Sequence, residues 1–157
     1  MGHRANYVII ENNTATAYYD QWGAMGCVYI FADGPTAAVD AISEAKTVTE
    51  LMEWAYAEGG YLLDFDKKVA IGFGFPFDEF DEEDEESPGD EINSAFAKSE
   101  EAYLRLIAPN WKGWKLIWDD HGVDAFATYL QSRAITSIKC QTPSFPETTT
   151  PPVSLDA

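Results

Sequence analysis

Fifteen consecutive residues in the middle of the chain, FDEFDEEDEESPGDE from Phe77 to Glu91, hold ten carboxylates and no cation. Like charges at this density repel one another and supply too little apolar surface to offset the entropy of ordering. The stretch therefore predicts a solvated loop and excludes a core element. It lies between two apolar, well-patterned halves, so the fold has to close around it. Two readings follow: a solubilising insertion, or a surface presented to a basic partner with Phe77 and Phe80 as apolar anchors.

A chain of 157 residues with 46% apolar and 14% aromatic content has the composition of one globular domain with a single core. The net charge is −17, and without the ten acids of the central run the remaining seventeen still outnumber ten Lys and Arg by seven. A surface this negative repels phosphate backbones and anionic membranes and speeds encounter with cationic surfaces. The expected partner is thus a basic protein, and neither nucleic acid nor membrane. Cys27 and Cys140 have no CxxC or histidine spacing beside them and read as reduced thiols, so no zinc framework can be drawn. The apolar stretch from Tyr7 to Ile10 is too short for an export signal, and no run approaches the roughly 20 residues of a membrane span. The expectation is a cytoplasmic protein.

In chain order, NYVIIE (Asn6 to Glu11), Asn12-Asn13 and TATAYYD (Thr14 to Asp20) read as a β-hairpin. The apolar run from Cys27 to Ala32 fits a strand or a short helix equally well. Asp33-Gly34-Pro35 starts a helix to about Lys46, and Thr47-x-x-Glu50 reads as a capping box opening a second helix that Gly59-Gly60 ends. Tyr61 to Phe65 and Lys68 to Phe75 suggest a second hairpin, its bare glycine face at Gly72 and Gly74 covered by a helix of the same domain or, alternatively, presented to a partner. Ser94 to Ile107 is a helix stopped by Pro109, Trp111 to Trp118 a strand, and Gly122 to Ser132 a helix with Val123, Phe126, Ala127 and Leu130 inward. This order predicts a single α+β domain over 1–139, a mostly antiparallel sheet of about five strands with three to four helices, and an acidic loop at 77–91. Residues 140–157, rich in Pro and Thr, predict an extended or disordered tail.

No reaction is spelled out. Nucleophile motifs, HExxH and a phosphate-binding glycine loop are missing, and the acidic run lacks the alternating ligands of an EF-hand, so neither cofactor nor metal is expected. The best carboxylate–histidine set is Asp119, Asp120 and His121 at a strand end, joined by Glu11 or Asp64 from nearby strands. The same residues are also ordinary loop chemistry leading into a helix. The aromatics Tyr18, Tyr19, Trp22, Trp111, Trp114 and Trp118 are core material in the main. Trp22, between flexible residues, is the one expected to be exposed as an interface anchor.

The opening MGHRANYVIIEN and the later AYYDQWGA resemble a group of uncharacterised bacterial proteins with the pattern M-G-x-R-A-N-x-V-x-x-E-N followed by Y-Y-x-x-W-[GR]-A. The resemblance covers about the first 24 residues and matches at Arg4, Asn6, Tyr18, Tyr19 and Trp22, marking either a structural corner or a site. By size and charge alone the chain is also similar to immunity proteins that plug a toxin's active-site cleft. The resulting expectation is a binding module and not an enzyme: an immunity (antitoxin) protein that blocks the basic cleft of a toxin domain. Its partner-binding residues would be Trp22, Phe77, Asp78, Glu79, Phe80, Asp81, Glu82, Glu83, Asp84, Glu85 and Glu86. The alternatives are a small enzyme built on Asp119, Asp120 and His121, or a DNA-mimic inhibitor of a nucleic-acid enzyme, which would need carboxylates spaced regularly on a rigid surface.

Overall fold

The computed structural model describes residues 3–43, 45–52, 57–75, 90–139 and 151–157. Its first strands, β1 (Ala5–Glu11) and β2 (Thr14–Asp20), form the expected antiparallel hairpin, with Glu11 opposite Thr14. Asn12 and Asn13 both take left-handed backbone angles (φ 55° and 59°), the two-residue turn that matches strand twist and that asparagine tolerates best after glycine. A 3-10 turn (Gly23–Met25) leads into α1 (Cys27–Ala32). The ambiguous apolar run is therefore helical, and it buries Cys27, Val28, Phe31 and Ala32 along one side. Pro35 sits in the first turn of α2 (Pro35–Ile42), where its missing N–H costs nothing.

The next segment corrects the sequence reading. Thr47 is not a helix cap: it lies in β3 (Lys46–Val48), opposite Tyr18 of β2, and Glu50 forms a bridge with Lys139. The body of the expected helix, residues 53–56, lies outside the described residues. Gly59-Gly60 does not end a helix but opens β4 (Gly59–Asp64), because this strand runs parallel to β1 at close quarters. A β-carbon on Gly59 would lie 2.6 Å from Cys27 Sγ, and one on Gly60 would fall on the Asn6 carbonyl oxygen. A tight turn then returns the chain as β5 (Val69–Phe73), completing the second hairpin. Gly74 lies against Cys27 of α1, the expected helix contact, but Gly72 lies against the Trp118 ring of the neighbouring strand (Lys115–Trp118) and not against a helix.

The helix expected over 94–107 is two helices, α3 (Asp90–Lys98) and α4 (Glu100–Ile107). Ser99 separates them in an extended conformation, and its hydroxyl accepts the Ala102 N–H at 3.0 Å, capping α4. Ser99→Ala should lower stability by about 1 kcal/mol in urea unfolding, whereas Ser99→Asp should hold it. A 3-10 turn (Ala108–Trp111), β6 (Lys115–Trp118) and α5 (Val123–Ser132) follow, and α5 buries the four residues expected of it. Val153–Asp156 forms β7, an extended strand paired antiparallel with β6, within the stretch read from sequence as an extended or disordered tail.

These strands make one mixed sheet in the order β3-β2-β1-β4-β5-β6-β7, so seven strands and five α-helices among the described residues replace the expected five and three to four. Four of its six pairings are antiparallel, while β1–β4 and β5–β6 are parallel. Helices cover both faces. Tyr7, Tyr61, Leu63, Ala70, Leu116 and Trp118 pack with α1, α2 and α4 on one side; Val8, Ile10, Leu62, Ile71 and Phe73 pack with α5 on the other. Burial on both faces explains why β4 is buried at every position and reads as a continuous apolar run with no alternation. Most of the aromatics form a core, with Phe31–Trp111 centroids 4.7 Å apart and Tyr103–Trp118 5.0 Å apart. Trp111 Nε1 donates to Phe31 O at 2.8 Å and Tyr103 Oη to Val28 O at 2.6 Å, whereas the buried Trp118 Nε1 has no hydrogen-bond partner among the described residues. Among the described residues no helix is long and apolar enough to cross a membrane.

Candidate functional site

The parallel pairings bring the starts of β1 and β4 and the ends of β2, β5 and β6 to one end of the sheet. Trp22 lies here, just past β2. Asp20 Oδ1 accepts the Trp22 N–H at 2.9 Å, and the chain then turns sharply at Gly23, which leaves no room for a β-carbon against Tyr7. The turn tucks the backbone inward and leaves the indole 54% exposed. His3 stands edge-on to it, ring centroids 6.2 Å apart, and pairs through Nδ1 with Glu58 Oε2 at 3.1 Å. The Glu58 carbonyl adjoins Gly74, and the next residue, Phe75, is 63% exposed. Trp22 and Phe75 thus both lie at this end of the sheet, Trp22 just past β2 and Phe75 just past β5.

The resembling N-terminal positions divide. Asn6 is fully buried, donating to Tyr18 O at 2.8 Å and accepting the Met52 N–H at 2.7 Å, so it is a structural corner that ties β1, β2 and the segment after β3 together. Arg4 holds the neighbouring segment through its carbonyl, which accepts the Glu58 N–H at 2.9 Å. Tyr18 and Tyr19 are half-buried along β2, and Trp22 is the one of the five whose side chain is mostly in solvent. The other expected anchors and carboxylates, Phe77 through Glu86, lie outside the described residues. Phe75, which the sequence places in the second strand of the hairpin, lies past the end of β5 at Phe73 and is exposed.

Farther along the same end, beyond β6, Asp119 and His121 are brought together but by a local turn. Asp119 Oδ1 accepts the His121 N–H at 3.0 Å and lies 2.6 Å from His121 Nδ1. Asp120 is directed elsewhere, toward Glu100 at the start of α4. Partial burial, then the charge of Asp120 and a hydrogen bond with it, then the charge of Asp119, push the Glu100 carboxyl up to about 7. Glu100 escaped the sequence reading because Ser99-Glu100-Glu101, a cap followed by acids in a first turn, was taken for helix interior. No group of three His, Cys, Asp or Glu suited to a metal ion occurs among the described residues. Cys27 is no nucleophile: it is 1% exposed, and burial pushes its thiol up to about 12.

The two carboxylates proposed to join Asp119 do not. Glu11 ends β1 and Asp64 ends β4, at the opposite end of the sheet. Asp64 is fully buried there and occupied on both oxygens: Oδ1 accepts the N–H groups of Asp66 (2.9 Å) and Lys67 (3.1 Å), and Oδ2 takes Tyr129 Oη and Arg133 Nη1. Arg133 Nη2 continues to Asn13 Oδ1 at 2.7 Å and to Asp66 Oδ2 at 3.2 Å, while Asp66 accepts the N–H groups of Asn12 and Asn13, each at 2.9 Å. Those backbone donors, with Arg133 behind them, hold the Asp66 carboxyl below the usual carboxylate range. A network whose members satisfy one another in this way clamps structure and offers a substrate nothing.

No family model, curated protein or solved structure matches this chain. The functional reading therefore rests on the sheet end itself. It carries two exposed aromatics, Trp22 and Phe75, and beyond β6 the Asp119–His121 pair.

Proposed function

We propose that this chain is an acidic protein-binding module of the bacterial immunity type, acting in the cytoplasm to block the basic active-site cleft of a cognate toxin. The observation that carries the reading is Trp22, held by its Asp20 turn with more than half of its surface in solvent, at the same end of the sheet as the still more exposed Phe75. Large aromatics on a fixed backbone are the usual centres of binding energy in protein interfaces. The net charge of −17 steers the molecule toward a cationic partner, and the carboxylates of the central run stand in for substrate phosphates.

The reading is tested with the partner recovered from native cells by salt-graded co-purification and returned to kinetic measurement. Trp22→Ser or Phe75→Ser should raise the dissociation rate by about tenfold or more, with Tm unchanged because neither ring is in the core. Replacing residues 78–86 by a neutral Gly/Ser linker should slow association at low salt and leave Tm nearly the same. Failure to retain any protein at low salt, or dissociation rates indifferent to both aromatic substitutions, would remove the proposal.

A second reading, a small enzyme, is favoured by one observation: the 2.6 Å contact between Asp119 and His121 beside a carboxyl held near neutral pH. Its test is separate. His121→Ala would abolish an activity without loss of folding, whereas in the binding module it leaves partner affinity intact.

A further inference from the structure

We propose that the free edge of β7, with the groove between it and the end of α4, is a strand-addition site for an extended segment of a partner protein that carries an apolar side chain followed by a side-chain carboxylate. The site stands apart from Trp22 and Phe75. It lies on the outermost strand, and its groove adjoins the β7 residues paired with the start of β6, whereas the Trp22 end is where β6 finishes.

Main-chain geometry supplies the first part of the site. The Ala157 N–H donates to Trp114 O at 2.9 Å and the Gly113 N–H donates to Ala157 O at 3.3 Å, so Ala157 turns its peptide groups toward the β6 side. Alternation along an antiparallel strand gives Leu155 and Val153 the same direction, opposite Leu116 and Trp118. The far side of β6 agrees: the N–H groups of Lys115 and Asp119 go to Lys68 O (2.8 Å) and Gly72 O (3.0 Å), which leaves those of Leu116 and Trp118 for β7. Ser154 and Asp156 therefore direct their N–H and C=O groups outward, and among the described residues nothing hydrogen-bonds to them. Pro152 has no N–H to offer, so an added strand registers from Ser154. The other edge is less open, since β3 has three residues and Lys139 already bridges the chain just beyond it at Glu50.

Beside this edge lies a groove of about 430 Å³, the size of a small ligand pocket and ample for a bulky apolar side chain. Ala108, Pro109 and the half-buried Leu155 give it apolar walls, and Arg105 and Lys112 line it from the helix side. Lys112 makes no ion pair among the described residues, and Arg105 is held by Glu101 in an exposed contact at 3.1 Å, a weak tie in water. Two cations on one apolar groove, in a chain of net charge −17, select a carboxylate next to the buried side chain. The opposite face of an added strand would lie beside the exposed Ser154 and Asp156, where polar or basic residues fit. A second copy of this chain fits less well: pairing β7 with itself sets Asp156 against Asp156 between two molecules that each carry −17.

The experiment uses the full chain and a displayed library of random dodecapeptides. Enriched peptides should share an apolar residue followed by Asp or Glu, and in a synthetic copy N-methylation should abolish binding at every second residue, as pairing along one side requires. Amide exchange at Ser154 and Asp156 should slow about tenfold or more in the complex. Lys112→Glu should weaken binding about tenfold or more and abolish the acidic preference. Ser154→Pro removes an outward N–H that β6 does not use, so it should abolish binding with the fold retained. Should that variant fold poorly, Lys112→Glu carries the test, because its side chain is on the surface. No enrichment, a flat N-methyl scan or binding indifferent to Lys112→Glu would overturn the proposal. So would Ser154 and Asp156 amides already slow in the free chain, or a dimer in sedimentation that Ser154→Pro dissolves, which would assign the edge to this chain itself.

Discussion

Arg133→Ala should destabilise the fold by about 3–5 kcal/mol, because it leaves the Asp64 carboxylate buried without its cation. The guanidinium also holds Asn13 and Asp66, so its loss frees the β1–β2 turn and the β4–β5 turn together. Urea unfolding followed by far-UV circular dichroism measures the loss. Arg133→Lys should recover only part, since an ammonium cannot span Asp64, Asp66 and Asn13 at once. The double replacement Asp64→Asn with Arg133→Ala should be milder than Arg133→Ala alone, as the unpaired buried charge is then gone. A loss under about 1 kcal/mol for Arg133→Ala would mean that water reaches Asp64 and that the clamp is not closed.

Gly60→Ala should be at least as severe, on the order of 3 kcal/mol or more, with loss of the folded state at moderate temperature as the plain outcome. Two causes act at once. The residue sits at φ 152°, where an L side chain is strained, and its β-carbon would meet the carbonyl oxygen of Asn6, which belongs to the adjacent parallel strand. Neither partner is a flexible side-chain end, so relief requires β1 and β4 to separate at the centre of the sheet. Gly113→Ala is the matched control. It too has a positive φ (87°), but nothing lies within 4 Å of its β-carbon, and it should cost about 1 kcal/mol. Thermal unfolding of the pair separates conformational strain from the backbone collision.

What could be read from the sequence was what neighbours in sequence decide. Asn12-Asn13 between two β-rich runs, Pro35 after Gly34, and the stripe Val123, Phe126, Ala127, Leu130 each obey a rule acting over a few residues, and each element began where expected, although the helix opened by Pro35 ends at Ile42, short of the expected Lys46, which pairs in β3. The misreadings occur where a distant partner decides. Gly59-Gly60 has the local look of a helix stop, but the pair is glycine because Cys27 and Asn6 press on it from elsewhere in the chain. Thr47-x-x-Glu50 matches a capping box letter for letter, while pairing with β2 and Lys139 makes that stretch extended. β3 and β7 have three and four residues and lie at the sheet's edges, where pairing on one side needs little intrinsic propensity. Of the site, the exposure of Trp22 followed from the glycine beside it. The bearing of Asp120 on Glu100 did not, because nothing in either local pattern brings the turn after β6 toward the first turn of α4.

The shared clamp between the two asparagine and aspartate turns also bears on how the molecule assembles. Each hairpin closes over a turn of a few residues, an event of about 1–10 μs, whereas registering Ala5 of β1 with Gly59 of β4 must await closure of the long intervening segment. Asp66, reaching from the second turn to the N–H groups of Asn12 and Asn13 in the first, can engage only when both hairpins exist and lie side by side. Arg133, at the end of α5, arrives later in sequence than either. The clamp is therefore a fastener of preformed parts. Its removal should leave the rate of hairpin formation untouched and hasten unfolding, so that its stabilisation is felt as a longer native lifetime.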